Sequence, residues 1–219
     1  MYRELRLRVT DLAREHADAL DAPVPAAPAW RGRDVLAHFA GVCEDIECGN
    51  LEGVATDGWT AAQVDKRRDW GTDQLLDDWA TRGRAIDALM DANPPGRFGQ
   101  LLFDAWTHEH DLRGAVGSPG TRDSAAGACA YAWVTPLLDG RDRDLGRAAL
   151  ALVDEHGSTV IGDGPADASV RASRFELLRS LTGRRSLTQI RGFDWSGPPD
   201  PDRLVLIPVF TPRSEDLVE

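Results

Sequence analysis

The sequence has few cysteines and no long apolar run, and each shortage bears on the class of protein. The three cysteines, Cys43, Cys48 and Cys129, are an odd number without a CxxC pair, so neither a disulfide framework nor a cysteine zinc knuckle is indicated. The N-terminal segment carries charge throughout and lacks the apolar run of a signal peptide or membrane span. We therefore expect reduced, mostly buried thiols in a cytoplasmic protein with no membrane partner.

Basic residues are outnumbered by acidic ones. The chain has 25 Lys and Arg against 36 Asp and Glu, which gives a net charge of -11. Such a surface repels phosphate backbones, so we expect no nucleic-acid partner. The sequence also lacks a Gly-rich phosphate loop and a GxSxG nucleophile motif. With 42% hydrophobic and 28% charged residues in a chain of 219, the composition is that of a folded protein able to bury a full core.

Apolar residues at spacings of three and four predict a helical N-terminal part. Segment 21–30 holds three prolines and is predicted to be a loop, because proline cannot continue a helix. Segment 59–70 lies between turn signals and is assigned no helix. Residues Asn93 to Gly96 are predicted to end the third helix, and 139–144 to form a loop after the fifth. The five predicted helices cover residues 3–21, 32–51, 72–92, 99–117 and 124–138.

Beyond residue 140 the pattern changes from helical periodicity to short alternating segments. Strands are predicted over residues 147–157, 158–162, 166–173 and 203–210. A short helix with a Ser173 cap and a Gly183 stop separates the last two. The predicted fold class is therefore α+β, with a four-helix bundle over 1–140 and a smaller α+β domain over 141–219.

Three side chains on the predicted helices have the chemistry of metal ligands. Asp104 and His108 are four residues apart, which places them within about 40° of each other on a helix. His38 lies on another helix, and metal sites in bundles are built from side chains of facing helices. Two imidazoles and one carboxylate leave coordination positions open, as in catalytic sites. The sequence predicts one divalent ion, zinc by preference, at these residues.

Asp111 follows His108 by three residues, where its carboxylate could accept a hydrogen bond from the imidazole nitrogen that does not face the metal. The alternative interpretation is that the histidines are core residues with hydrogen-bonded partners and the carboxylate is solvated. His110 lies roughly 200° from His108 on a helix, and Cys43 about 140° from His38. Neither is assigned to the metal.

Several runs resemble a known family. Residues 30–41, WRGRDVLAHFAG, and 104–117, DAWTHEHDLRGAVG, resemble the mycothiol-dependent maleylpyruvate isomerase family, part of the DinB-like superfamily of metal-binding four-helix bundles. Residues 173–195 resemble the second domain of many members, so the resemblance covers nearly the whole chain. It implies that His38, Asp104 and His108 bind zinc. The acidic ligand of the family is often Glu, and Asp104 has a shorter reach.

The resemblance also implies a cosubstrate, namely a low-molecular-weight thiol, mycothiol in actinobacteria, bound as a thiolate at the open metal position. Family members isomerise maleylpyruvate through a conjugate adduct or transfer the thiol to other electrophiles. An arginine of the second domain binds or activates the substrate, and Arg184 is the candidate here. We expect a small electrophilic substrate and a monomer or homodimer. A non-haem iron enzyme using the same site and a non-catalytic metal-binding or regulatory module remain alternatives.

Overall fold

The computed structural model describes residues 1–93 and 95–219, so Pro94 of the predicted helix stop lies outside the described residues. None of the helices in these residues combines the length and the apolarity that crossing a membrane requires. The helices are α1 (Tyr2–Glu15), α2 (Gly32–Cys48), α3 (Asp57–Lys66), α4 (Thr72–Asp91), α5 (Gly99–Ala115), α6 (Ala125–Asp144), α7 (Arg174–Leu181) and α8 (Leu187–Arg191). The strands are β1 (Pro23–Val24), β2 (Ala27–Arg31), β3 (Ala148–Asp154), β4 (Gly157–Ile161), β5 (Asp163–Arg171) and β6 (Asp194–Ser196).

The chain divides into two compact units, and the division falls within α5. The helical unit comprises Met1–Phe98 and Asp104–Gly120, and the mixed unit comprises Gly99–Phe103 and Thr121–Glu219. Helix α6 packs against β4 inside the mixed unit. The α+β class is confirmed. The domain boundary at residue 140 stays a prediction, to be decided by whether 1–140 and 141–219 fold separately.

The core of the helical unit joins α1, α2 and α4 through one buried cluster. The hydroxyl of Tyr2 lies 3.0 Å from the sulfur of Cys43 and accepts a hydrogen bond from the Trp79 indole at 2.9 Å. The Trp79 ring stacks on Phe39, with ring centroids 4.5 Å apart. All four side chains are buried. The first, second and third predicted helices therefore meet in one core, as expected from their apolar periodicity.

Two segments of the helical unit differ from the sequence prediction. Segment 21–30, predicted to be a loop, contains most of the hairpin β1–β2. Both of its strands are edge strands, where proline is tolerated. Segment 59–70 contains most of α3, which begins after Thr56, whose hydroxyl accepts the Trp59 N–H at 3.3 Å. The side chain that α3 buries is the polar Gln63, so the helix has no apolar periodicity to detect.

The mixed unit contains a four-stranded sheet in the order β4-β3-β5-β6. Strand β3 pairs antiparallel with β4 and parallel with β5, and β6 pairs antiparallel with β5. Helix α7 begins at Ser173, whose hydroxyl accepts the Glu176 N–H at 3.2 Å. It stops at Gly183, where φ is +72° and a Cβ would lie 2.5 Å from the Thr211 carbonyl oxygen. The predicted α7 and the first three predicted strands are confirmed.

The loop predicted over 139–144 is wrong, because these residues are the last turns of α6. Asp139 and Arg143 form an ion pair at 2.9 Å across one helical turn, an interaction that supports helix in a polar run. Asp142 is fully buried and accepts a hydrogen bond from Arg203 at 2.8 Å. Polar pairing rather than apolar periodicity extends this helix.

The strand predicted over 203–210 is also absent from the described residues. Its apolar side chains Leu204 and Val205 are buried, which explains the strand-like pattern. Within the described chain, its backbone carbonyl groups do not pair with a neighbouring strand. Instead, the Arg141 guanidinium donates to the carbonyl oxygens of Arg203 and Val205 at 2.7 and 2.5 Å. A side chain therefore supplies the hydrogen bonds that a neighbouring strand would otherwise provide.

The thiols of Cys43 and Cys48 should differ in reactivity. Burial raises the pKa of the Cys43 thiol to about 11, whereas Cys48, contrary to the expectation of mostly buried thiols, is exposed at the end of α2. In the native protein we expect an aromatic disulfide reagent to modify Cys48 first and Cys43 only after unfolding, because the thiolate is the nucleophile. Absorbance of the released thiol measures this. Loss of the fast phase in Cys48→Ser is the control, and fast native modification of Cys43 would contradict the prediction.

Candidate metal centre

The structure brings His38, Asp104 and His108 together in the helical unit. One ligand atom from each lies within 4.8 Å of the others. The Nε2 atom of His38, on α2, is 3.2 and 3.4 Å from the two carboxylate oxygens of Asp104, on α5. The Nε2 atom of His108, one turn further along α5, is 3.6 Å from the same carboxylate. Both imidazoles thus direct the same ring nitrogen towards one carboxylate.

The other ring nitrogen of each histidine has its own partner. Nδ1 of His108 lies 3.0 Å from the carboxylate of Asp111, which is fully buried. Nδ1 of His38 lies 2.7 Å from the side-chain oxygen of Gln63. Both partners accept, so both Nδ1 atoms donate, and the lone pairs available to an ion are those of Nε2. The structure places Asp111 where the sequence spacing predicted a partner for His108.

Gln63 is a residue of the site that sequence analysis missed. It lies on α3, a helix not predicted, and its spacing from His38 along the chain carries no helical relationship. A buried glutamine has many structural uses, so the residue type alone gives no signal. Only the tertiary packing of α3 against α2 identifies it.

The three side chains differ in their exposure to solvent. Side-chain exposure is 2% for His38, 13% for His108 and 35% for Asp104, so the Asp104 carboxylate is the part most accessible to solvent. Burial lowers the pKa of His38, but the Asp104 charge and the hydrogen bonds to Asp104 and Gln63 outweigh it, so this pKa lies above its usual value. The surroundings therefore stabilise the protonated form of the His38 imidazole.

The donor set fits a divalent metal ion. Two imidazole nitrogens and a carboxylate oxygen are ligands that zinc accepts, and the same set also suits non-haem iron. Each imidazole is held by a hydrogen bond at the nitrogen away from the shared carboxylate, which is the usual arrangement of metal-binding histidines. His38, Asp104 and His108 would hold the ion, and Asp111 and Gln63 would orient the two imidazoles.

Trp30 forms an aromatic wall beside the two histidines. Its ring stacks on that of His108, with centroids 5.2 Å apart and planes at 12°, and meets that of His38 edge-on at 5.3 Å. Trp30 also lines a groove of about 790 Å³ between the β1–β2 hairpin and α3. The groove has a polar lining that includes Arg31, Arg33, Asp34, Asp65, Arg68 and Asp69. His38, Asp104 and His108 do not line this groove, so Trp30 lies between it and the two histidines.

Two further residues considered from the sequence lie elsewhere. His110 is buried against Trp106, with ring centroids 4.4 Å apart, and is not part of the three-residue set. Arg184 belongs to the mixed unit, where its guanidinium donates to the Thr182 carbonyl oxygen at 2.7 Å and lies 5.9 Å from the centre of the Phe210 ring. Its role in catalysis stays a prediction.

Asp111→Asn should weaken metal binding without preventing folding. The amide keeps the volume but removes the charge that fixes the proton on Nδ1 of His108, so we expect zinc affinity to fall about 10- to 100-fold. Competition with a chromophoric chelator measures the affinity, and thermal unfolding of the metal-free protein checks the fold. The exposed Asp77 of α4 supplies the matched control, Asp77→Asn. Equal affinities in the two variants would contradict the role of Asp111.

Comparison with known proteins supports the fold. No family model and no curated protein matches the chain. A solved structure of a histidine-to-alanine variant of mycothiol-dependent maleylpyruvate isomerase is similar, with a TM-score of 0.56 and 14% identity over 91% of this chain and 95% of that one. A second structure of mycothiol-dependent maleylpyruvate isomerase gives a TM-score of 0.51 and 16% identity over the same shares. In its fold, this chain is similar to mycothiol-dependent maleylpyruvate isomerase over nearly its whole length.

Proposed function

We propose that this chain is a metal-dependent enzyme that uses a low-molecular-weight thiol, mycothiol or a similar compound, on a small electrophilic substrate. The observation that carries the proposal is the convergence of the two Nε2 atoms of His38 and His108 on the Asp104 carboxylate. A site with these three protein ligands keeps positions open for a further ligand, as catalytic metal sites do. The fold similarity to mycothiol-dependent isomerases supports a thiol as that ligand.

The ion proposed at this site is zinc. When bound, it would supply the positive charge that keeps a coordinated thiol deprotonated and therefore nucleophilic. The protein residues have separate tasks: His38, Asp104 and His108 hold the ion, and Asp111 and Gln63 keep each imidazole turned with Nε2 inward. Trp30 covers both imidazoles on one side, which restricts access by water from that direction.

The groove beside Trp30 has room for the body of a thiol of moderate size, and it meets the proposed metal centre through Trp30, because His38, Asp104 and His108 do not line it. The groove lined by Trp30 has a volume of about 790 Å³, within the range of small-molecule pockets. Its lining is polar and includes acidic and basic side chains, which suits a hydroxyl- and amide-bearing cosubstrate better than an apolar one. The accessible Asp104 carboxylate marks the side from which an electrophile would approach.

Two reaction types fit a thiol nucleophile at this position. In isomerisation, the sulfur adds to a carbon of a conjugated double bond, rotation follows about the resulting single bond, and elimination of the thiol restores the double bond. In transfer, the new carbon–sulfur bond remains and a leaving group departs, or the adduct is protonated. Both use the same activated thiol, so the choice depends on the electrophile. The proposal covers both.

A second candidate function is non-haem iron chemistry. The same two imidazoles and one carboxylate are the ligand set of Fe(II) oxygenases. This ligand set therefore supports an iron enzyme as strongly as a zinc enzyme. The two candidates differ in the metal that the purified protein holds and in the role of thiol. Metal analysis therefore distinguishes them.

Metal content is the decisive measurement for the proposal. We expect about one zinc per chain in the purified protein, lost in His108→Ala because a ligand is removed. In a cobalt-substituted sample, addition of mycothiol or a model thiol should change the visible absorption, since sulfur enters the coordination sphere. His110→Ala is the matched control, because His110 lies two residues away on the same helix and outside the set.

The other outcomes are equally informative. If the protein holds iron instead of zinc and thiols leave its spectrum unchanged, the iron enzyme becomes the supported function and the thiol enzyme is refuted. Protein that is metal-free, and equally stable with and without a chelator, would refute the metal site. The non-catalytic regulatory module would then be the better description.

For the mixed unit, we propose that Arg184 binds or activates the substrate. Arg184→Ala should leave zinc content and thiol binding unchanged but lower the turnover of an electrophilic substrate by roughly 100-fold, as loss of one hydrogen-bond donor to a transition state does. Steady-state kinetics measure it. The exposed Arg171 of the same unit gives the control Arg171→Ala. Unchanged kcat/KM in Arg184→Ala would remove Arg184 from the site.

A further inference from the structure

A hydrogen-bond relay lies behind His38, on the side away from Asp104. Nδ1 of His38 is 2.7 Å from Oε1 of Gln63, and Nε2 of Gln63 is 2.5 Å from a carboxylate oxygen of Asp45. Gln63 is 4% exposed and His38 is 2% exposed, so water does not compete freely for these bonds. The relay joins α2 to α3 and ends at a histidine of the proposed metal centre.

The chemistry of Asp45 sets the direction of the whole relay. An ionised carboxylate can only accept hydrogen bonds, so the amide group of Gln63 must turn its NH2 towards Asp45. The carbonyl oxygen of Gln63 then faces His38, where it too can only accept. Gln63 therefore accepts the proton of Nδ1, which leaves Nε2 as the nitrogen that can offer its lone pair to a cation beside Asp104. Without a cation, the Asp104 carboxylate competes with Gln63 for the imidazole proton, because both can only accept.

The approach of α3 to α2 that makes this relay possible depends on Gly41. A Cβ atom at Gly41 would lie 2.4 Å from Cβ and 2.6 Å from Cγ of Gln63, far inside van der Waals contact. Glycine lowers the stability of a helix interior, so its presence within α2 has a packing reason. The absent side chain leaves the space that the Gln63 side chain fills.

His108 is oriented by different means. Its partner Asp111 lies on the same helix, three residues away, so that any intact α5 supplies the interaction. The partner of His38, Gln63, lies on another helix, and Asp45 fixes the orientation of the Gln63 amide. Only one of the two imidazoles thus depends on tertiary packing for its tautomer.

We propose that Gln63 is a positioning residue that selects Nε2 of His38 as the metal-binding nitrogen, with Asp45 fixing the orientation of its amide and Gly41 providing its space. The inference deepens the proposed function and rests on it for the identity of the ligand on Nε2. The tautomer itself is a property of the metal-free protein. It can be measured whether or not a metal binds.

The test compares Gln63→Leu and Asp45→Asn with the control Asn50→Ala. Leucine fills the space of Gln63 but accepts no hydrogen bond. Asparagine at position 45 keeps the shape but can donate, which lets the Gln63 amide rotate and present its NH2 to His38. Asn50 donates to Asp45 at 2.8 Å and does not contact Gln63 in the described hydrogen bonds. Asn50→Ala therefore tests whether the loss of any hydrogen bond to Asp45 is enough to change the His38 tautomer.

Two readouts are needed, and one does not require metal. The ¹⁵N shifts of the His38 ring in the metal-free protein, measured above the imidazole titration, report which nitrogen carries the proton. Zinc affinity by chelator competition reports the consequence. We expect the Nδ1-protonated form to be more populated in wild type and Asn50→Ala than in Gln63→Leu, where Asp104 is the acceptor that still faces the ring. Zinc affinity should be roughly 10- to 100-fold weaker in Gln63→Leu. Asp45→Asn should lie between them.

An unchanged His38 tautomer and zinc affinity in Gln63→Leu would overturn the inference. If that variant does not fold, as judged by thermal unfolding, Asp45→Asn decides, and wild-type values in this variant would have the same meaning. If wild type binds no zinc, the proposed function fails, while the ring shifts still decide whether Gln63 sets the tautomer. A merely structural role of Gln63 would change the unfolding temperature and leave the ring shifts unchanged.

Discussion

A buried imidazole has two ring nitrogens, and each needs a polar partner because an unsatisfied polar group away from water costs free energy. In the helical unit, Gln63 and Asp111 satisfy the Nδ1 atoms of His38 and His108. The remaining nitrogens both turn towards Asp104. The requirement that satisfies the core therefore also creates a face of two imidazole nitrogens and a carboxylate. The proposed metal centre follows from these hydrogen-bonding requirements together with the partial exposure of Asp104.

The rotation of α5 about its axis is fixed by the residue next to His108. Glu109 is fully buried and accepts hydrogen bonds from Arg8 of α1 at 2.8 Å and from Arg113 at 3.2 Å. Buried ion pairs add little net stability, but breaking one is costly, so they hold an element in one orientation. With each residue advancing about 100° around the helix, a fixed Glu109 also fixes the directions of His108 and of Asp104 one turn earlier.

Sequence patterns predicted what local periodicity controls and missed what polar contacts control. The core helices, the three-stranded part of the sheet and the relation of His108 to Asp111 all follow from spacing along one element. Gln63 was not predictable, because its helix buries a polar side chain and lacks an apolar stripe. Segment 203–210 has the apolar side chains of a strand, but Arg141 supplies its backbone hydrogen bonds. Such long-range side-chain contacts leave no periodic signal in the sequence.

The unequal partners of the two histidines determine the charge around the proposed centre. A divalent ion with Asp104 as its one anionic ligand has a formal charge of about +1, and the carboxylate of Asp111 behind His108 offsets that charge. A bound thiolate would then add a further negative charge. His38 is backed by the neutral amide of Gln63, with the carboxylate of Asp45 a full glutamine side chain further away. The amide thus orients the imidazole as a carboxylate would, but it keeps a third carboxylate away from the position where an anionic thiol would bind.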